Sequence, residues 1–323
     1  MEYTVLGRTQ LRISRIGLGT WQFSEAWGGL SYEEARAIIA RALEHGINFF
    51  DTAMAYGLGR SEDLLGRALR DLGVKRDSIV ISTKIPGEFL NPTDIYRSVE
   101  KSLKLLGLDH VDVLLAHWPP CWHNYPTRIY ARALERLVLQ GRVSYLGLSD
   151  FPVELIESFR SSLSRVDVHV LQIRYNLVER WAEEEHIPYA EKHNMTIQAW
   201  SPLAKAALTG KYTPDKLPRF EDVRARDPIF HPRNFKKIWG LVEKLREIGA
   251  KYGKTPVQVA LNWLLRASPV VVPIPGAKKP EQVDEIAGSA GWMLSYEDWR
   301  TLEEASRGIQ IEYSAYYLDY KPT

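Results

Sequence analysis

The feature that most limits the possible folds of this chain is a repeat of short apolar strand patterns that alternate with amphipathic helix patterns. Short segments rich in Val, Ile, Leu and Phe recur along the chain, and between them apolar residues recur at helical spacing. The predicted strands are 16–18, 47–50, 79–82, 111–116, 143–148, 168–173, 196–199 and 270–274. The connections are too short for a second domain, so the pattern predicts one eight-stranded parallel (β/α)8 TIM barrel over residues 1–323.

Helix signals follow the predicted strands, and extra elements precede and follow the repeat. Ser31 and Glu34 form the pattern of a capping box, and Thr255 with Gln258 repeats it. The other predicted helices lie near 61–70, from Thr93, near 127–139, from Pro152, near 183–193, near 234–252 and from Pro280. Segments 3–6 and 11–13 predict an N-terminal hairpin, and extra helices are expected after strand seven and at the C-terminus.

Residues 201–233 form the longest predicted connection, rich in Pro, Gly and charged residues. The segment follows the seventh strand on the mouth side of the barrel, and long ordered loops are usually functional, so we expect a clasp or lid. An open doubly wound sheet is the alternative fold. It is disfavoured because no Gly-x-Gly-x-x-Gly follows any predicted strand.

The composition excludes several classes of protein. Hydrophobic residues make up 45% and charged residues 25%, the net charge is +2, and no long run of like charge predicts binding to nucleic acid or a membrane. Cys121 is the only cysteine, which excludes an internal disulfide and a thiolate metal cluster. The N-terminus lacks a signal-peptide pattern, so we expect a cytoplasmic protein. We also expect no metal site.

Four ionisable residues follow consecutive predicted strands: Asp51, Tyr56, Lys84 and His117. The carboxyl ends of parallel strands meet at one rim, where barrels place their active sites. A phenol, with a pKa near ~10, is a weak acid at neutral pH, but an adjacent ammonium lowers that pKa and a buried carboxylate holds the ammonium in place. A neutral histidine could orient a carbonyl oxygen. The cluster could therefore protonate an oxygen whose carbon receives a hydride.

Each of these residues also has a structural interpretation on its own. Asp51 could cap a loop, Tyr56 could be a core residue, Lys84 could lie on the surface, and His117 could be a core histidine bonded to backbone. Their occurrence after strands two, three and four in succession favours a shared site.

Several motifs resemble those of the aldo-keto reductase superfamily over nearly the whole chain. They are Asp51-Thr-Ala-Met-Ala-Tyr56, Ser82-Thr-Lys84, Leu115-Ala-His117-Trp118, Gly147-Leu-Ser149-Asp150, Gln172-Ile-Arg-Tyr-Asn176, Trp200-Ser-Pro-Leu203 and Ile274-Pro-Gly-Ala-Lys278. The motifs Trp-Ser-Pro-Leu after the seventh predicted strand and Gly-Ala-Lys-Lys-Pro-Glu-Gln after the eighth look closest to those of prokaryotic oxidoreductases related to potassium-channel β subunits. The resemblance implies metal-free, reversible, NADPH-dependent reduction of aldehydes and ketones.

The resemblance also implies residue roles. Tyr56 would be the general acid, Lys84 and Asp51 its pKa-lowering partners, and His117 the residue that orients the carbonyl. Ser149, Asp150 and Gln172 would hold the nicotinamide carboxamide and Trp200 would stack on the ring. The remaining expected cofactor contacts are Thr20, Trp21, Ser201, Pro202, Leu203, Lys205, Lys211, Gly276, Lys278, Gln282 and Glu285. Because a ribose 2′-phosphate needs a cation such as Lys278, we expect NADP(H) rather than NAD(H).

Three residues depart from the family pattern. Asp150 and Ile286 stand where asparagine is usual, and Ala206 stands where glycine is usual. A carboxylate can accept from the carboxamide NH₂ but cannot donate to its oxygen, and Asp150 could instead cap the helix from Pro152. Ile286 is expected to weaken adenine recognition, and Ala206 raises a question about the backbone of the clasp.

Aromatic residues after strands one and four predict a substrate pocket, with core packing as the alternative. They are Trp21, Phe23, Trp118 and Trp122. Two other functions stay open: a Schiff-base lyase that uses Lys84, and a regulatory subunit that binds the nucleotide and turns over slowly. The sequence specifies neither the carbonyl substrate nor the oligomeric state.

Overall fold

The computed structural model describes residues 1–120 and 125–313. The chain begins with an antiparallel hairpin, β1 (Tyr3–Val5) and β2 (Arg12–Ser14), as the sequence predicts. The amide of Gly7 in the hairpin turn donates to the hydroxyl of Thr196, the first residue of a barrel strand, at 2.7 Å. The hairpin therefore covers the amino-terminal end of the barrel, opposite the end where catalytic side chains are expected.

Eight parallel strands follow in chain order around one sheet. They are β3 (Leu18–Gly19), β4 (Phe49–Asp51), β5 (Val80–Ile85), β6 (Val111–Ala116), β7 (Val143–Ser149), β8 (Val168–Arg174), β9 (Thr196–Trp200) and β10 (Val271–Pro273). The amides of Gly17 and Gly19 donate to the carbonyls of Pro273 and Pro275 at 3.0 and 2.9 Å, so the last strand returns to the first. This closure confirms the predicted (β/α)8 barrel.

Helices follow the strands and surround them. They are α1 (Tyr32–Glu44), α2 (Arg60–Asp71), α3 (Pro92–Leu106), α4 (Thr127–Leu139), α5 (Val153–Ser162), α6 (His186–Lys192), α7 (Pro232–Tyr252), α8 (Pro256–Ala267), α9 (Pro280–Ala287) and α10 (Tyr296–Arg307). Both predicted capping boxes are present, at Ser31–Glu34 and Thr255–Gln258. Helix α6 is shorter than the predicted 183–193, because a separate 3-10 turn occupies Trp181–Glu183. No helix in the described ranges is long and apolar enough to cross a membrane.

The core has two layers because successive side chains of a strand point to opposite faces. In β6, Val113 and Leu115 point into the barrel with Phe49, whereas Leu114 packs outward against the helices. The strand ends are thus held by packing on both faces. This places the residues that follow each strand at fixed positions around one rim.

The long connection after β9 is ordered as a series of short 3-10 turns. They are Ala204–Thr209, Pro214–Lys216, Val223–Arg226 and Pro228–Phe230. An aromatic cluster of Tyr212, Phe220, Phe230 and Phe235 packs this connection against α7. Its first part lines the cavity at the barrel mouth, which is the position that the sequence predicts for a clasp.

Candidate active site

The site is built around the ammonium group of Lys84, in β5. Its Nζ donates to Asp51 Oδ2 at 2.7 Å, to the carbonyl of Thr52 at 2.7 Å and to the phenolic oxygen of Tyr56 at 3.1 Å. These acceptors use all three N–H groups of an ammonium. The structure therefore brings together the acid, the amine and the carboxylate that the sequence places after neighbouring strands.

The carboxylate of Asp51 is fully hydrogen-bonded as well. It is 2% exposed, and Oδ1 accepts from the hydroxyl of Ser82 at 2.7 Å and from Nε2 of Gln172 at 2.9 Å. A buried ion pair is tolerated only when further hydrogen bonds satisfy its remaining polar atoms. Gln172, which also donates to Gln198 at 2.5 Å, therefore orients Asp51 across the barrel.

Ser61 at the start of α2 links the ends of the first two barrel strands. Its hydroxyl donates to the carbonyl of Thr20 at 2.9 Å and lies 3.0 Å from the Thr52 hydroxyl. The Thr20 hydroxyl in turn donates to the backbone carbonyl of Asp51 at 2.9 Å. Thr20 is fully buried, so its side chain positions the strand end and does not face the cavity.

The acid and base states of the cluster are set mainly by burial. Burial raises the pKa of the Tyr56 phenol well above its usual value, and the negative charges of Asp51 and Asp150 act in the same direction. This direction is opposite to the lowering that the sequence predicts, and burial of the phenol is its largest cause. Burial also lowers the pKa of Lys84, an effect that Asp51 opposes. The phenol is consequently protonated at neutral pH, as a general acid must be.

His117 follows β6 and lies beside the phenol. Its ring centroid is 5.6 Å from that of Tyr56 at an angle of 76°, and 4.3 Å from that of Trp118. Burial, followed by the charge of Lys84, lowers the pKa of His117 well below its usual value. The imidazole is therefore neutral, and its buried Nδ1 has no hydrogen-bond partner among the described residues.

A cavity of about 340 Å³ extends from this cluster along the mouth of the barrel. It begins at Asp51 and Tyr56 and reaches the residues that precede and open α9. The predicted cofactor contacts that line it are Trp21, Trp200, Ser201, Pro202, Leu203, Lys205, Lys211, Gly276, Lys278, Gln282 and Glu285. Ser149 and Gln172 are 1% and 2% exposed and, like Thr20 and Asp150, are not among the residues that line it.

Asp150 does not cap the helix after it. Helix α5 has no side-chain cap, and Oδ1 of Asp150 instead accepts from the indole Nε1 of Trp200 at 3.0 Å. Asp150 has a left-handed backbone, with φ of 52°, which Asp and Asn adopt more readily than most residues. The alternative role as a helix cap is therefore wrong, and the carboxylate stays at the rim beside Trp200.

Three cations meet at the far end of the cavity: Lys211, Arg224 and Lys278. The Nζ of Lys278 donates to the backbone carbonyl of Trp27 and lies 5.6 Å from the centroid of its ring. Burial lowers the pKa of Lys278, and the positive charges of Arg224 and Lys211 lower it further. The negative charge of Asp222 acts in the opposite direction. This end of the cavity is therefore suited to an anionic group.

Sequence reasoning missed Arg224 and Trp27. The guanidinium of Arg224 lies 5.2 Å from the centroid of the Trp27 ring, and both side chains line the cavity. Gln22 and Tyr212 also line it without having been predicted. The position of Arg224, a basic residue inside the predicted clasp, was the available signal for its role. Its partner Trp27 lies far away in the sequence, in the loop after the first barrel strand, so their contact could not be predicted.

The clasp has an unusual backbone. Ala204, Lys205 and Ala206 have φ values of 49°, 52° and 78°, a left-handed conformation that suits glycine best. Lys205 lines the cavity, but its ammonium pairs with Asp227 at 2.5 Å. Ala206 thus adopts the geometry expected of glycine despite its methyl group.

The predicted aromatic pocket is only partly supported. The ring of Trp21 stacks 6.0 Å from that of Tyr56, and the indole of Trp118 donates to Glu88 at 2.9 Å next to His117. Phe23 is fully buried in the core between strands and helices, so the prediction that it walls the pocket is wrong. Trp122 lies outside the described residues.

No group of three or more His, Cys, Asp and Glu side chains in the described ranges could hold a metal ion.

Comparison with known proteins gives consistent matches over most of the chain. A family model described as the aldo/keto reductase family matches residues 15–307. The aldo-keto reductase YhdN of Bacillus subtilis is 34% identical over 94% of this chain and 92% of its own. A protein of Arabidopsis thaliana named "Probable voltage-gated potassium channel subunit beta" is 33% identical over 88% of this chain and 90% of its own.

Solved structures match in the same way. The glycerol dehydrogenase of Gluconobacter oxydans superposes with a TM-score of 0.86 and 31% identity, covering 99% of this chain and 98% of its own. An aldo/keto reductase from Klebsiella pneumoniae, determined with NADP and acetate, superposes with a TM-score of 0.75 and 27% identity, covering 94% and 95%.

Proposed function

The chain belongs to the aldo/keto reductase family, and from that premise we propose that it reduces aldehydes and ketones to alcohols with NADPH. Tyr56 is the general acid, Lys84 and Asp51 hold it in place, and His117 orients the carbonyl oxygen. The observation that carries the proposal is the hydrogen bond of 3.1 Å from Lys84 to the phenolic oxygen, in a site where that phenol is protonated.

The geometry supports proton donation by Tyr56. Because Lys84 donates to the phenolic oxygen, the O–H proton of Tyr56 is free to point toward a substrate oxygen. When that proton leaves, the phenolate remains in contact with the ammonium, which stabilises the new negative charge. The neutral His117 can donate a second hydrogen bond to the substrate oxygen. A nicotinamide cofactor, when bound, would supply the hydride to the carbonyl carbon.

The cavity supports a dinucleotide cofactor. Trp200 and the residues from Ser201 to Leu203 line the part next to Tyr56 and would hold the nicotinamide half and the pyrophosphate. An added Cβ at Gly276 would lie 1.7 Å from Oε1 of Gln22, so a larger residue there would require the Gln22 side chain to move. Gln282 and Glu285 line the far end, where Lys211, Arg224 and Lys278 would bind a 2′-phosphate. We therefore propose NADP(H) as the cofactor.

The same contacts argue against a Schiff-base lyase. A lysine that attacks a carbonyl must reach it as a free amine. Lys84 is fully buried and donates to three protein acceptors, so its nitrogen is not available to a substrate. Borohydride trapping of a carbonyl compound on Lys84 would contradict this reasoning.

A regulatory nucleotide-binding subunit is the second candidate, because one relative is named as a channel β subunit. The two functions differ in turnover. The test is cofactor oxidation over a panel of aldehydes, keto-sugars and dicarbonyls with NADPH and NADH. We expect oxidation of NADPH with at least some members of the panel. Tight NADPH binding without oxidation across the panel would support the regulatory function instead.

A further inference from the structure

We propose that the carboxylate of Asp150 stabilises the positively charged, oxidised nicotinamide relative to the neutral, reduced one, and so assists the departure of hydride from the bound cofactor. The inference rests on the proposed function and adds an electrostatic role for a residue at which the family pattern has a neutral asparagine. The proposed role is an electrostatic interaction between Asp150 and the nicotinamide ring, separate from any hydrogen bond to the carboxamide.

Asp150 does not line the cavity itself, but it lies at the rim in contact with Trp200, beside which we expect the nicotinamide. The residue follows β7 directly, and its amide donates to the carbonyl of Gln172 at 3.0 Å. Its carboxylate accepts from the indole of Trp200, which lines the cavity with Tyr56. Its charge also acts on the phenol, whose pKa it helps to raise after burial and Asp51.

Arg174, whose charge acts on Asp150, forms its ion pairs with other carboxylates. Arg174 lies over the ring of Trp200, but its guanidinium pairs with Glu179 at 2.7 Å and with Asp227 at 3.1 Å. Lys205 pairs with the same Asp227. Within the described part of the chain Asp150 forms no ion pair of its own. Burial raises the pKa of its carboxyl, whereas the hydrogen bond from Trp200 and the charge of Arg174 lower that pKa.

The redox step changes the charge of the ring, which is why one unpaired carboxylate matters. As hydride leaves the reduced ring, a C–H bond breaks there and forms at the carbonyl carbon, while Tyr56 gives its proton to the oxygen. The ring changes from neutral to a charge of +1, and a nearby carboxylate stabilises that charge. Since an enzyme cannot alter the overall equilibrium, the effect must appear as a difference in affinity between the two cofactor forms.

The test is the ratio of dissociation constants for NADPH and NADP⁺, measured by fluorescence or calorimetric titration of the whole protein and of Asp150→Asn. Asparagine keeps an acceptor for the Trp200 indole and tolerates the left-handed backbone, so the fold is retained. We expect the ratio Kd(NADPH)/Kd(NADP⁺) to fall by about tenfold, because NADP⁺ loses a nearby opposite charge and NADPH does not.

Two further variants separate charge from other effects. Asp150→Glu keeps the charge and should keep the ratio near that of the wild type. Glu285→Gln removes a carboxylate at the far end of the same cavity, so it should change both affinities together. An unchanged ratio of dissociation constants in Asp150→Asn would overturn the inference and leave the proposed function intact. If neither NADPH nor NADP⁺ bound the wild type, both the inference and the proposed function would be refuted.

Discussion

Lys84 donates a hydrogen bond of 3.1 Å to the phenolic oxygen of Tyr56 across two adjacent structural elements, strand β5 and the loop after β4. The ammonium cannot rotate away, because its other two N–H groups are held by Asp51 and by the carbonyl of Thr52. The contact therefore fixes the phenolic oxygen and leaves its O–H free to donate to another acceptor.

Tyr56→Phe should abolish most reduction while cofactor binding is retained. The substitution removes the proton donor but keeps the ring that stacks near Trp21. Loss of a positioned general acid reduces the rate by about 10²–10⁴-fold. Steady-state assays with NADPH, together with a cofactor titration, check both parts. A rate equal to that of the wild type would remove the phenol from the mechanism.

Lys84→Met should lower the free energy of unfolding as well as the activity. The lysine is fully buried, and its removal leaves the charge of Asp51 uncompensated, which costs about 3–5 kcal/mol. Urea denaturation of the purified variant measures the change. The matched control is the double variant Asp51→Asn with Lys84→Met, which removes both charges and should recover part of the stability. If both variants unfold like the wild type, the pair has no role in stability.

Lys278→Ala should weaken NADPH binding more than NADH binding. The loss of a charged contact to a phosphate costs about tenfold in affinity, and NADH has no 2′-phosphate. The control is Lys279→Ala, since Lys279 is the next residue, is exposed and does not line the cavity. Titration with the two cofactors distinguishes the effects. Equal losses of both affinities in Lys278→Ala would refute a phosphate-binding role.

Ala206→Gly should stabilise the protein slightly. Ala206 has φ of 78°, where a methyl group is strained by about 1–2 kcal/mol, partly offset by the greater freedom of glycine in the unfolded chain. A small rise in the free energy of unfolding is therefore expected in thermal or urea denaturation. Ala207→Gly serves as the control, because Ala207 lies outside the left-handed run and should lose stability. A loss of stability in Ala206→Gly would contradict the strain.

The stability of the fold should fall in acid partly through Glu135, in α4. Burial alone would raise its pKa, but the amides of Ser164 and Arg165 and the guanidinium of Arg132 lower it to about 2. The pKa in the folded state is thus below the unfolded value of about 4.3. The ionised Glu135 carboxylate therefore stabilises the folded state above pH ~4.3, and this stabilisation is lost as the pH falls toward ~2.

This contribution should amount to about 1–2 kcal/mol after allowance for solvent screening. Urea denaturation at a series of pH values measures it, with Glu135→Gln as the comparison. The variant should be less stable than the wild type at neutral pH, and the two should converge in acid. Parallel curves over the whole pH series would show that Glu135 does not titrate in this way.

The position of the candidate site was predictable because its residues lie at strand ends. Asp51, Lys84 and His117 each terminate or follow an apolar strand, and a parallel barrel brings such positions to one rim. The spacing could not show which way a side chain points. Phe23 and Trp21 are two residues apart, yet Phe23 enters the core while Trp21 lines the cavity.

The sequence alone determined the repeating strands and helices, the capping boxes and the order of ionisable residues along the chain, because hydrophobic period and capping are local properties. Tertiary structure alone decided that Gln172 orients Asp51, that Arg224 meets Trp27, and that the pKa of Tyr56 is raised. These outcomes depend on barrel closure, which places distant residues within a few ångströms of each other. A pKa then follows from the total burial and charge around the group, which no single segment of the chain contains.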